Sequence, residues 1–331
     1  MKRIFSTLLL ILAMGIPGYA RLLPGQTQLS GTYWVRWTYD KDENRFGLER
    51  GYFRLEHQFK KKMKFRFTVD LHSTSSSKYH YGAALRLKDA YLQVKDFIGK
   101  GIDLKIGLQK NYFGMVQDWE YLPIVEAFED QEKLVSSRDY GISIGGKLPG
   151  KVGKWRLEIT NGEYYKKNHE DLNNVPALIV DMRLKPWKPL TLAASFLTTK
   201  DGFGTEQAPY VRRNIYTVWG KVALSPVEIS LQYLGAEKLE KKQGGFRVYP
   251  VINLSQKLQL FAVYDYFDRD LEAEGFAHNR YVVGLNYYIK RKGEKMIIGL
   301  QGAFLREDYE NAGSTNKVII QLTIQPKTNP F

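Results

Sequence analysis

KFRFTVDL, residues 64–71, places Phe65, Phe67, Val69 and Leu71 on one side of an extended chain and Lys64, Arg66, Thr68 and Asp70 on the other, because strand side chains alternate with period two. A soluble sandwich that buries one face and a membrane barrel that gives one face to lipid both produce this pattern. The octet is a strand in either case, and the rest of the chain has to choose between them.

The first twenty residues, MKRIFSTLLLILAMGIPGYA, carry Lys2 and Arg3, an apolar run from Leu8 to Ala13, and the small-x-small triplet Gly18-Tyr19-Ala20. This is the pattern of a secretory signal peptide cleaved after Ala20. A membrane anchor is the competing reading, but the apolar run is shorter than the ~20 residues a spanning helix needs. Residues 21–331 are then the exported chain. No later stretch is long and apolar enough for a spanning helix, and the mean hydropathy of −0.38 is compatible with a barrel, whose strands spend only alternate residues on lipid. Aromatics make up 14% of the chain, including 22 tyrosines, which a barrel would use in its interfacial girdles. Cysteine is absent, so no disulfide framework holds the exported chain together.

The pattern of the opening octet recurs. Ile102, Leu104, Ile106 and Leu108 oppose Asp103, Lys105 and Gln109. Leu178, Val180, Met182 and Leu184 oppose Asp181, Arg183 and Lys185. Val318, Ile320, Leu322 and Ile324 oppose Gln321, Thr323 and Gln325. No amphipathic helix interrupts the series. Short turn signals alternate with longer polar segments at 73–84, 161–176, 200–214, 237–244, 268–280 and 306–316, the arrangement of an outer-membrane barrel with turns at one end and loops at the other. We count about sixteen candidate strands, the size class that leaves an aqueous channel. The segment 111–137 stands apart, being long, mixed apolar and acidic, and without alternation. Its Trp119, Tyr121, Ile124, Val125 and Phe128 argue against disorder, so it is expected to fold inward and narrow the channel. Packing over the barrel mouth is the alternative.

RLKDAYLQVKDF, IDLKIGLQKNYFGM, SSRDYGISIGGKLPG and LEITNGEYY, preceded by RGYFRLE at 50–56, resemble in order and spacing the phosphate-selective porin family of Gram-negative outer membranes. The resemblance covers residues 45–165. It implies an all-β, sixteen-stranded transmembrane antiparallel barrel, usually a homotrimer in contact with outer-membrane lipid and lipopolysaccharide. It also implies an inward third loop and a basic lumen that guides small inorganic anions.

A cation on the lipid face costs ~2–4 kcal/mol at the membrane midplane. The alternation therefore puts Arg50, Arg54, Lys64, Arg66, Lys105, Arg156, Arg183, Lys185, Lys221 and Arg247 in the lumen, with the carboxylates Glu56, Asp70, Asp103, Glu158, Asp181 and Glu228. Segment 111–137 adds Asp118, Glu120, Glu126, Glu129, Asp130, Glu132 and Lys133 as constriction candidates. If these acids face the pore they oppose anion passage, and if they pair with the wall they do not. The formal charge of +14 suits anionic solutes or anionic lipid headgroups, since an exported chain rarely meets nucleic acid. The five histidines show no metal spacing, and neither G-x-S-x-G, a P-loop nor HExxH is present. No cofactor or catalysis is expected. A passive channel is the function this reading favours, with a closed barrel of structural or surface-binding role as the alternative.

Overall fold

The computed structural model describes residues 23–73, 83–116, 124–162, 175–202, 205, 209–290 and 296–326. The signal-peptide reading at 1–20 lies outside the described residues. Sixteen antiparallel strands close into one barrel, each hydrogen-bonded to its sequence neighbours. The first half comprises β1 (Thr27–Tyr39), β2 (Asn44–Lys60), β3 (Met63–Ser73), β4 (Ala83–Val94), β5 (Ile102–Lys110), β6 (Arg138–Lys147), β7 (Gly153–Thr160) and β8 (Ala177–Trp187). The second half comprises β9 (Leu190–Asp201), β10 (Val211–Leu224), β11 (Val227–Lys238), β12 (Lys241–Asn253), β13 (Leu258–Asp268), β14 (Ala277–Lys290), β15 (Met296–Tyr309) and β16 (Gly313–Pro326). Closure is made by β1 against β16, with Trp34 opposite Thr323 and Trp37 opposite Ile320.

Alternation does in the fold what the sequence implies. In β8, Ala177, Ile179, Asp181 and Arg183 are buried inside while Leu178, Val180 and Met182 are exposed outside. Phe67, Ile106, Val218, Leu231, Val283 and Phe304 belong to the same exposed apolar band, far more than a water-soluble surface tolerates and suited to lipid.

Two of the sheet's register shifts bear on the first half of the wall. In β4, Thr68 pairs with Asp89 and Val69 with Leu87, so Lys88 is the extra residue. In β2, Trp34 pairs with Arg50 and Val35 with Leu48, so Glu49 is extra. A bulge sets two successive residues against one, and Lys88 and Asp89 are both buried.

The connections are sorted by end less cleanly than expected. The polar segments 237–244 and 306–316 are mostly strand. Only Leu239 and Glu240 join β11 to β12, and residues 310–312 join β15 to β16. Leu239 and Glu240 both take positive φ, 53° and 63°, the geometry of a tight type I′ hairpin.

Candidate functional site: the inner loop and the basic wall

The loop between β5 and β6 leaves and returns at adjacent rungs, since Lys110 and Arg138 are register partners. Between them it folds into the barrel and makes one helical turn, α1 (Phe128–Gln131). Its apolar side chains pack on inward-facing residues of the second half of the barrel. Phe113, Phe128, Leu134 and Val135 cluster with Ile179, Leu197, Ile215, Leu234 and Phe267. Met115, Val116, Ile124 and Val125 cluster with Trp219, Phe261, Val263, Leu305 and Ile319. The wall of β8–β16 is therefore apolar on both faces where the loop covers it, as in the run LFAVY at 260–264.

Polar contacts lock this packing. Gly114 N–H donates to Ser195 Oγ at 2.9 Å, and Ser195 Oγ donates to Asp181 at 2.7 Å. The Gly114 carbonyl accepts from Arg183. Gly114 has φ of 47°, and a Cβ there would land on the Glu129 carboxylate. Glu129 Oε1 accepts from Met115 N–H at 2.8 Å and from Gln232 at 2.5 Å, and burial raises its carboxyl above the ordinary carboxylate range. Glu132 is also buried, which by itself would raise it. The hydrogen bond from His278 at 3.1 Å, with the charges of His278, Arg280 and Arg269, outweighs that and lowers it. Arg247 donates to both oxygens of Asp265 at 2.6 and 2.7 Å, to the Glu126 carbonyl at 2.9 Å and to Gln131 at 3.1 Å.

Gly114→Ala is expected to destabilise the folded barrel by about 1–3 kcal/mol, because a left-handed backbone and a collision with Glu129 coincide there. Urea titration followed by the mobility difference between folded and unfolded protein on cold gels measures it, and an unchanged midpoint contradicts it.

Opposite the loop, the first half of the barrel carries cations held on aromatic faces. Arg50 lies 4.6 Å over Trp34 and Lys88 3.9 Å over Tyr52. Arg66 lies 5.7 Å over Tyr91, Lys105 4.7 Å over Tyr112, and Arg156 4.4 Å over Tyr112. A ring quadrupole orients a cation without neutralising it, so these contacts preserve a positive wall. Carboxylates cancel part of it: Glu56 accepts from Arg66 at 2.6 Å and pairs with Lys64 at 3.3 Å, and Arg138 pairs with Asp89 at 2.6 Å. Arg54 reaches Thr68 at 3.4 Å.

Between wall and loop lies a cavity of about 230 Å³ lined by Trp34, Arg36, Arg50, Glu126, Glu307 and Lys317, among others. Arg36, which the sequence reading did not single out, donates to the Ile124 carbonyl at 3.3 Å and pairs with Glu49 at 3.4 Å.

The candidate residues thus separate. Arg50, Arg54, Lys64, Arg66, Lys105 and Arg156 form one wall. Arg183 and Arg247 lie under the loop, only 4% and 1% exposed, and anchor it instead of facing open lumen. Lys221 pairs with Glu228, and Lys185 is exposed at the end of β8. The acids divide likewise: Glu129 and Glu132 pin the loop, whereas Glu126 is exposed and, with Asp130, lines the gap facing Arg50, Lys88 and Arg138. Lys133 is exposed and its carbonyl accepts from Lys238 at 3.5 Å. Asp118 and Glu120 lie outside the described residues.

No protein-family model matches the chain, and no curated protein matches it in sequence. Solved structures match its fold. OmpT of Vibrio cholerae in its trimer form superposes with a TM-score of 0.65 at 11% identity, over 91% of this chain and 99% of that one. The outer membrane channel DcaP of Acinetobacter baumannii gives 0.64 at 10% identity, over 94% and 100%. The anion-selective porin from Comamonas acidovorans gives 0.61 at 11%, over 91% and 99%. At these identities the likeness is one of fold: a closed sixteen-stranded barrel of the porin type.

Proposed function

We propose that the chain is exported by its N-terminal signal and acts in the outer membrane of a Gram-negative-type bacterium as a passive porin for small hydrophilic solutes, with a mild lean toward anions. The observation that carries this reading is the asymmetry of the barrel interior. One half is sealed by the docked loop, and the other presents cations held by aromatic rings across a polar gap. Fixed charges of one sign along such a gap select ions while leaving them free to depart. The lean is mild because Glu126 and Asp130 face the same gap. Phosphate is the first anion to test, since Arg offers it bidentate hydrogen bonds and Lys a point charge. A homotrimer set in lipid and lipopolysaccharide is the proposed assembly.

A closed, non-conducting barrel is the second reading, favoured by the apolar packing of the loop on the wall of β8–β16. Planar-bilayer recording separates the two. Stepwise current with a reversal potential on the anion side is expected, and absence of any ion-permeable step selects the closed barrel. In a salt gradient, Lys64→Ala with Arg66→Ala is expected to move the reversal potential toward zero. An unshifted value removes both residues from selectivity.

A further inference from the structure

The positive charge of this chain is concentrated at one end of the barrel. At the loop end, cations are matched by acids: Lys241 with Asp270 at 2.7 Å, Lys242 with Glu272 at 2.7 Å, Arg306 with Asp308 at 2.8 Å, Lys317 with Asp40 at 3.2 Å. At the turn end they are not. Each described turn there, except Ser225–Pro226, carries or adjoins lysine, and among the described residues the structure records ion pairs only for Lys62 with Asp96, Lys64 with Glu56 and Lys221 with Glu228. Lys60, Lys61, Lys100, Lys188 and Lys257 are exposed.

These lysines are interleaved with large exposed apolar side chains. Phe59 precedes Lys60, Phe97 and Ile98 precede Lys100, Trp187 precedes Lys188, and Leu254 stands three residues before Lys257. Trp187 and Ile98 are 69% and 70% exposed. An apolar body beside an ammonium on a flexible stem suits the boundary between hydrocarbon and headgroups, where the stem snorkels and the ring stays in the interface. A soluble polyanion would use the lysines and leave the apolar groups wet.

We infer that the turn end is an amphipathic collar that binds the phosphates of anionic glycerophospholipids in the leaflet it touches. This rests on the barrel's being membrane-spanning and is independent of conduction. Each lysine near an anionic surface adds an attraction that adds up over the set, and the ring of turns surrounds the barrel, so the collar recruits a shell of lipid and not one molecule.

The test is native mass spectrometry of the full barrel folded in detergent with equal phosphatidylcholine and phosphatidylglycerol. We expect phosphatidylglycerol to be retained about fivefold over phosphatidylcholine. Lys60→Gln, Lys61→Gln, Lys188→Gln and Lys257→Gln together should bring the ratio toward one. A control at the loop end, Lys41→Gln, Lys241→Gln, Lys242→Gln and Arg306→Gln, should leave it unchanged. Retention in the mixing ratio by the unaltered chain, or equal loss in both variants, overturns the inference. Binding to soluble peptidoglycan fragments without lipid enrichment also overturns it and names a carboxylate polymer as the occupant. If the turn-end variant does not fold, the unaltered chain decides by salt. Enrichment should fall between about 0.05 and 0.5 M, where the screening length drops below the lysine stem, and a constant ratio rejects it. Failure to insert into phosphatidylcholine vesicles would count against the membrane reading itself, whereas insertion without enrichment counts only against the collar.

Discussion

Excising residues 112–136 and joining β5 to β6 by a short turn is expected to raise single-channel conductance several-fold. Lys110 and Arg138 already sit opposite one another, so a hairpin turn can replace the loop without moving either strand. A sixteen-stranded barrel is wide enough to hold water once nothing occupies it. Removal uncovers Ile179, Leu197, Ile215, Leu234 and Phe261, which the loop buries, so thermal stability should fall at the same time. Conductance equal to that of the full chain would place the constriction elsewhere than at the loop.

Glu132→Ala should destabilise the docked loop by about 1–3 kcal/mol, the usual result of leaving a buried hydrogen-bonding group, here the His278 ring, without its partner. Arg280 keeps Asp265 at 3.1 Å and Glu307 at 2.6 Å, but His278 and Arg269 lose the only ion-pair partner recorded for them among the described residues. Acid should imitate the substitution. Glu132 is lowered in the folded state, so its contribution is present above the unfolded value of about 4.3 and is lost as pH falls through the folded value. Glu129 has the opposite sign. Burial raises it, so its carboxylate detracts from stability as pH climbs above the unfolded value. Glu129→Gln keeps an acceptor for Met115 N–H, and it is expected to match or exceed the parent at pH 8. Urea midpoints between pH 4 and 8 measure both. Parallel pH profiles for the two variants contradict the assignment.

The strands and the wall were legible because alternation is local. Lys64, Arg66 and Asp70 face inward for the same reason that Phe67 faces out. Lys88 was legible in principle: Leu85 and Leu87 share one phase and Ala90, Leu92 and Val94 the other, and that slip marks the bulge. The inward apolar residues of β13 also left a trace, since LFAVYDYFD is apolar on both faces where a wetted wall would alternate.

The loop's anchors left none. Gln232 lies 103 residues from Glu129 and Arg280 148 residues from Glu132, and only the register of the closed sheet brings them together. The hairpins at 239–240 and 310–312 hid for another reason. Strand ends that project past the apolar band are polar on both faces, so they look like loop.

Closure between the two ends of the chain has a kinetic consequence. Every other strand pairs with its sequence neighbours, but β1 waits for β16, nearly the whole chain away. The first strand keeps an open edge until the last arrives, and an open edge is a template for pairing with another chain. Long-range pairing of this kind is slow and exposes folding intermediates to aggregation. The vulnerable species in biogenesis is thus a nearly complete, unzipped sheet, and the seam between Tyr33–Tyr39 and Val318–Ile324 is the place where a chaperone or an assembly factor has most to protect.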